Sequence, residues 1–201
     1  MITPNLIVIA QPKTGSTSFH KYLSNFPEIS VHYHKESWGI DPYSINPFLN
    51  FDISFKSSKN TKYFCDFCSY LPYDTNLDFF FNNLKNCKII FLHRDPVERT
   101  ISHYYHELSN KIEQRSLIRA VNDESNTNYN DEYYFSHFAY IGQSKLMIRI
   151  NNFINSQNNK SKYLEVNLDN LIYFPEETEL KICKFLNIEK INLKLDKLNF
   201  R

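Results

Sequence analysis

The chain has 201 residues, 42% of them hydrophobic and 22% charged, with a net charge of +1, which reads as one domain over residues 1–201 with room for its own core. The balanced charge excludes a whole-surface attraction to nucleic acid or to an anionic membrane, so any anion site must be local. No stretch reaches the roughly 18 apolar residues of a membrane span, and an apolar run begins too early for a leader peptide to precede it, so the expectation is a cytoplasmic protein with no membrane or nucleic-acid partner.

In chain order, Leu6–Ala10 is a short apolar run with β-branched residues, which reads as a buried strand. Gln11-Pro12-Lys13-Thr14-Gly15-Ser16-Thr17-Ser18 follows, small and hydroxylated with one cation. Phe19, Tyr22, Leu23 and Phe26 then recur at helix spacing. Pro27 ends that helix, and Ile29–Val31 suits a short strand. Residues 40–62 show no clean period. Residues 63–71 are aromatic and fit a strand or a packed loop. Leu77, Phe80, Phe81 and Leu84 share one helical face. Lys88–His93 is the clearest second strand, and Asp95-Pro96-Val97-Glu98 is a helix start: an N-cap, Pro at the first position and a capping box. Residues 122–132 read as a mobile loop, residues 135–154 as one long helix, Tyr163–Val166 as a third strand, and Pro175 opens a last helix ending near Leu186. Strands alternating with helices argue an α/β fold with a parallel sheet. Of the four cysteines, Cys87 and Cys183 sit in apolar patterns and read as core. Cys65 and Cys68 form a C-x-x-C with no second pair or spaced His cluster, so reduced structural thiols and no metal are expected.

Two places carry chemistry. Strand, tight loop and helix at residues 6–19 is the geometry that aims backbone N–H groups and a helix N-terminus at an anion. Lys13 adds full charge, and Ser16, Thr17 and Ser18 add hydroxyls. The plain alternative is an ordinary capped turn. The pattern is not a Walker A sequence, because Lys13 precedes Gly15. The second place is the end of the strand at 88–93. Ligands gather at the carboxyl ends of parallel strands, so if the two strands are neighbours, Arg94 faces the same crevice as the loop. Arg94 forks onto a phosphate, and Ser102, two turns into the next helix, reaches the same group. The plain alternatives are an Arg94–Glu98 salt bridge and a surface serine.

These motifs resemble those of sulfotransferases that use 3′-phosphoadenosine 5′-phosphosulfate (PAPS). Pro12–Ser18 is similar to their phosphosulfate loop. Arg94–Arg99 with Ser102 and Tyr104 is similar to their 3′-phosphate motif, an Arg with a Ser eight residues on. Lys35-Glu36 before Trp38 resembles the Lys-Glu element of heparan-sulfate-type and related bacterial enzymes, where the Glu is the catalytic base. Residues 66–71 resemble a loosened acceptor-side stretch, with Phe67 in place of its Lys, and residues 181–188 resemble the last helix. The resemblance implies a three-layer P-loop-NTPase-like fold, a central parallel β-sheet flanked by helices. It implies PAPS as donor with PAP as product, no metal, and a small-molecule or oligosaccharide acceptor whose hydroxyl is sulfated, most simply on a carbohydrate. Lys13, Thr14, Gly15, Ser16, Thr17, Ser18, Arg94 and Ser102 would hold the nucleotide. Lys13 would also neutralise the leaving group and Glu36 would take the acceptor proton. His32 and His34 are rival bases within the same few residues, and all three share a face if the segment is extended. The alternatives are a phosphoryl-transfer kinase of related fold, or a nucleotide-binding module without catalysis if the short C-terminus does not close over the nucleotide.

Overall fold

The computed structural model describes residues 2–34, 40–48, 55–124, 129–157 and 161–191. Five strands form one parallel sheet: β1 (Leu6–Ala10), β2 (Ile29–Val31), β3 (Tyr63–Cys68), β4 (Lys88–His93) and β5 (Tyr163–Asn167), in the order β2-β3-β1-β4-β5. β1 is central and covered on both sides, which is why all five of its residues are apolar and fully buried. Ile9 pairs with Cys68 on one side and with Phe91 on the other. The carboxyl ends of β1, β3 and β4 therefore lie level, and the loops that leave them open onto one edge.

The helices are α1 (Ser16–Leu23), α2 (Leu77–Asn83), α3 (Pro96–Ser109), α4 (Leu117–Glu124), α5 (Glu132–His137), α6 (Tyr140–Ser156), α7 (Leu168–Tyr173) and α8 (Pro175–Leu186). Strand alternation sorts the core into two layers. Leu6, Val8, Ala10, Ile90 and Leu92 pack with Phe19, Leu23, Leu171 and Ile182 of α1, α7 and α8. Ile7, Ile9, Ile89 and Phe91 pack with Phe80, Phe81, Leu146 and Ile150 of α2 and α6. Each such fully buried side chain is worth about 1.5–3 kcal/mol relative to exposure. The result is the parallel α/β sheet that the alternating pattern implied, in the three-layer arrangement that the resemblance implied. Among the described residues no helix is long and apolar enough to cross a membrane.

The structure corrects the helix boundaries. The single long helix expected over 135–154 is two, α5 and α6, with a break at Phe138 and Ala139. The break is stabilised at both sides. On the α5 side the Phe138 N–H donates to the Tyr134 carbonyl at 2.8 Å. α6 is capped from far away: the buried Glu124 carboxylate accepts from Ile141 N at 2.7 Å and Gly142 N at 2.6 Å. A carboxylate at a helix N-terminus also meets the positive end of its dipole. The loop expected over 122–132 instead begins with the last turn of α4 and closes with a turn at Tyr129 and Asn130; residues 125–128 lie outside the described residues. α4 and α7 have short patterns that periodicity did not isolate.

The start of α3 follows its sequence signature with one difference. Asp95 accepts from Val97 N and Glu98 N, both at 3.0 Å, with Pro96 at the first position. Glu98 does not close the capping box; its carboxylate takes Arg94 Nη2 at 2.8 Å. All four cysteines are buried. Burial pushes the Cys68 thiol up to about 12 and those of Cys87 and Cys183 up to about 11, and holds Cys65 well above its ordinary value.

Two outcomes are expected from this architecture. Asp95→Ala should cost about 1 kcal/mol, or about 2–4 °C in Tm by calorimetry, while the fold is retained. Because only the thiolate attacks, a thiol-specific reagent at pH 7 should titrate no cysteine in the native protein and all four after denaturation. Rapid native labelling would contradict the burial described.

Candidate active site

The loop between β1 and α1 is shaped by two left-handed residues. Lys13 has φ +70° and Gly15 has φ +85°. For a residue with a Cβ such as Lys13 this costs on the order of 1–3 kcal/mol, and it persists only where the surroundings enforce it. Gly15 is required twice over. A Cβ there would lie 2.6 Å from Leu168 Cδ1, and the φ alone disfavours a side chain. Gly15 is also the N-cap of α1 and supplies no side-chain cap. First-turn N–H groups have no intrahelical acceptor, so the helix presents them, with its positive dipole end, at the level sheet edge.

What enforces the loop is a buried guanidinium. Arg99, on α3, is fully buried. Its Nη1 donates to the Pro12 carbonyl at 3.2 Å, its Nε to Ser144 Oγ at 2.8 Å, and its Nη2 to the Tyr140 carbonyl. Burial lowers its pKa to about 10, offset in part by the Glu124 charge, so it stays cationic at neutral pH. Its Nη1 also faces His103 Nδ1 at 3.5 Å, and the His103 Nε2–H donates to the Ser136 carbonyl at 3.0 Å. Burial and the Arg99 charge push His103 down to about 3, so it is neutral and its tautomer is set by these two contacts.

These elements enclose a cleft of about 600 Å³ lined by residues of the β1–α1 loop, Arg94, Ser102 and the far part of α3. Lys13, Gly15, Ser16, Thr17 and Ser18 line it together with Arg94 and Ser102, so the two sequence motifs do meet in one cavity. Arg94 is salt-bridged to Glu98, the plain alternative, yet it also lines the cleft. Its Nε has no hydrogen-bond partner among the described residues. Thr14 does not line the cleft. It is fully buried, its hydroxyl donates to the Gln11 carbonyl at 2.7 Å, and its N–H reaches the same oxygen at 3.3 Å, so it closes the turn.

The expected bases fare differently. Lys35, Glu36 and Trp38 lie outside the described residues. His32 and His34 lie close together, their ring centroids 6.2 Å apart, but differ in burial. β2 ends at Val31, His32 is buried with its Nδ1 2.8 Å from the His34 carbonyl, and His34 is exposed. Neither lines the cleft. Sequence reading missed a group that does: His103, His106 and Glu107 of α3, and Ser136 and His137 of α5. The signal was available in part. His103 and Glu107 stand four apart on the helix that carries Ser102; nothing local brings His137 to them. The Lys13 charge contributes to lowering both His103 and His106, after burial in each case, which places this group beside the loop cation.

A second cavity, about 340 Å³, adjoins the end of β3 and the start of α5. Ser69 lines the first and Tyr70 the second. It is walled by Tyr43, Tyr70 and Tyr129 with Asp41, Asp74 and Glu132, and among the described residues none that lines it is Lys, Arg or His.

The model of the sulfotransferase domain matches residues 3–201. A membrane-associated sulfotransferase, kil1, of Dictyostelium discoideum is 36% identical over 106 residues, which is 51% of this chain and 22% of that protein. Among solved structures, a sulfotransferase from Alicyclobacillus acidocaldarius superposes with a TM-score of 0.70 at 17% identity, covering 98% of this chain and 88% of that one. Mouse sulfotransferase SULT7A1 complexed with PAP gives a TM-score of 0.60 at 14% identity, covering 94% and 61%. The parallel sheet flanked by helices is thus the P-loop-NTPase-like fold of these enzymes, and with a match across almost its whole length the chain belongs to the sulfotransferase domain family.

Proposed function

We propose that the chain transfers the sulfuryl group of PAPS to an acceptor hydroxyl, and that the acceptor is a neutral carbohydrate. The observation that carries the donor is the joining of the two anion motifs in one cleft. The glycine cradle and uncapped start of α1 stand with Lys13 at one part of it, and Arg94 and Ser102 line it too. The donor has anionic groups at both ends, a 5′-phosphosulfate and a 3′-phosphate. The loop N–H groups, Lys13 and the hydroxyls of Ser16, Thr17 and Ser18 suit the first. The Arg94 fork, with an Nε not yet engaged, and Ser102 suit the second. The structural neighbour from mouse is described in complex with PAP, which supports the same choice.

Transfer of this kind needs alignment and charge stabilisation more than covalent chemistry. Lys13 and the α1 dipole would neutralise charge that builds on the leaving oxygen. By analogy with oxyanion donors, each such contact is worth on the order of 10²–10³ in rate. The second cavity supports the acceptor class. Tyr43, Tyr70 and Tyr129 offer faces for a sugar ring, and Asp41, Asp74 and Glu132 accept from its hydroxyls. The same carboxylates, with no cation among the described lining residues, repel a polyanionic chain such as heparan sulfate.

PAP is expected to bind about tenfold or more tighter than ADP. At equal saturating concentrations that is about 1.4 kcal/mol, or about 3–5 °C of extra thermal stabilisation. Arg94→Ala should erase the difference, and equal shifts with the wild type would overturn the donor assignment in favour of a kinase. Gly15→Ala should weaken PAP at least tenfold by calorimetry. Adding Leu168→Ala should remove the clash but not the backbone strain, so recovery should be partial. In acceptor assays, neutral methyl glycosides should be sulfated and heparin should not. Preference for heparin would overturn the carbohydrate class proposed.

A further inference from the structure

Three histidines line the cleft: His103, His106 and His137. They differ in what their ring nitrogens already do. His103 is neutral and spends Nδ1 on Arg99 and Nε2 on the Ser136 carbonyl. His106 Nε2 faces the Asn110 side-chain amide at 3.2 Å, and among the described residues no carboxylate pairs with the ring. His137 is built differently. Its Nδ1 lies 3.0 Å from Glu107 Oε2. Glu107 is 4% exposed, on the inner side of α3, while the His137 side chain keeps about a third of its surface, 31%, toward solvent. Since an ionised carboxylate only accepts, the Nδ1 carries the proton. Nε2 then holds a lone pair, and it makes no hydrogen bond among the described residues.

We infer that the His137–Glu107 pair is the base that takes the proton of the acceptor hydroxyl. The inference rests on the sulfuryl-transfer reading above. A carboxylate behind an imidazole fixes the tautomer and stabilises the imidazolium that forms, and this arrangement recurs on unrelated folds. In the transfer step, the acceptor oxygen forms a bond to sulfur as the bond from sulfur to the bridging oxygen of the donor breaks. That oxygen keeps the electron pair and leaves on the nucleotide. The hydroxyl proton passes to His137 Nε2, and Glu107 stays ionised. Nothing is oxidised or reduced.

The ring is also held relative to the donor loop. Arg99 binds the Pro12 carbonyl and faces His103; His103 binds the carbonyl of Ser136, the residue before His137. One hydrogen-bonded line therefore sets both the loop that would grip the donor and the base that would activate the acceptor. Glu36, the base implied by resemblance, is the rival.

The test has an arm that needs no turnover. Long-range 15N–1H correlation spectra of the imidazoles should show His137 as the Nδ1–H tautomer at neutral pH. Single-turnover conversion of PAPS to PAP with methyl glucoside present, where a sugar hydroxyl or water takes the sulfuryl group, should slow roughly 10²–10⁴-fold in His137→Gln. Glu107→Gln should slow at least about tenfold. Both variants should bind PAP by calorimetry as the wild type does. An Nε2–H tautomer, a His137→Gln variant as fast as wild type, or a loss confined to Glu36→Gln would overturn the inference. Failure of the wild type to bind PAP would instead sink the donor assignment, and the imidazole spectra would still decide the state of the pair.

Discussion

The site depends on a positive charge that is buried with no carboxylate in direct contact. Arg99 has lost its water, and among the described residues it forms no salt bridge; its compensation is two main-chain carbonyls, a serine hydroxyl, a neutral imidazole and the more distant Glu124. A buried ion is tolerated only when its hydrogen-bonding capacity is met. Meeting it demands that Pro12, Tyr140 and Ser144 stand in fixed places, which ties the β1–α1 loop to the start of α6. The left-handed backbone at Lys13 is held by that demand.

The same constraint explains why the break between α5 and α6 is part of the site. Tyr140 opens α6, and its carbonyl accepts from Arg99. Glu124 fixes the same end of α6 by taking Ile141 N and Gly142 N. Gly142 leaves room for Tyr129, since a Cβ there would lie 2.8 Å from that ring. Tyr129 in turn donates to Glu124. A continuous helix over 135–154 would place neither the Tyr140 carbonyl nor the His137 ring where they stand. The interruption thus exchanges a few helical hydrogen bonds for the wall of the cleft.

Much of the frame was legible in the sequence because it is written in short-range patterns. Leu6–Ala10 and Lys88–His93 are apolar runs of strand length, and Asp95-Pro96 is a local start signal. The phosphosulfate-like loop and the pair Arg94 and Ser102 were legible as motifs because their geometry depends on neighbouring residues and on two adjacent strands. What was not legible acts across distance. Glu124 caps a helix 17 residues on. His137 meets Glu107 across 30 residues. Arg99 reads only as the end of the stretch resembling a 3′-phosphate motif, and Thr14 as one more hydroxyl in a ligand loop, because burial is not visible in a pattern of eight residues. His32 and His34 lie away from the cleft because β2, which leads into them, stands at the edge of the sheet.

The partners of Arg99 have a consequence for how far such a chain can drift. Two of its acceptors are carbonyls of the main chain, at Pro12 and Tyr140, and every amino acid carries that group. The residues at those two positions can change without removing an acceptor, provided the backbone keeps its path. The guanidinium itself is held to a single identity, since no other side chain carries the same rigid fork of donors, and at Ser144 and His103 a side chain that can accept is needed. A fold locked partly through the main chain asks for fewer matched side-chain pairs, which is compatible with the 14–17% identity at which its architecture recurs in other structures.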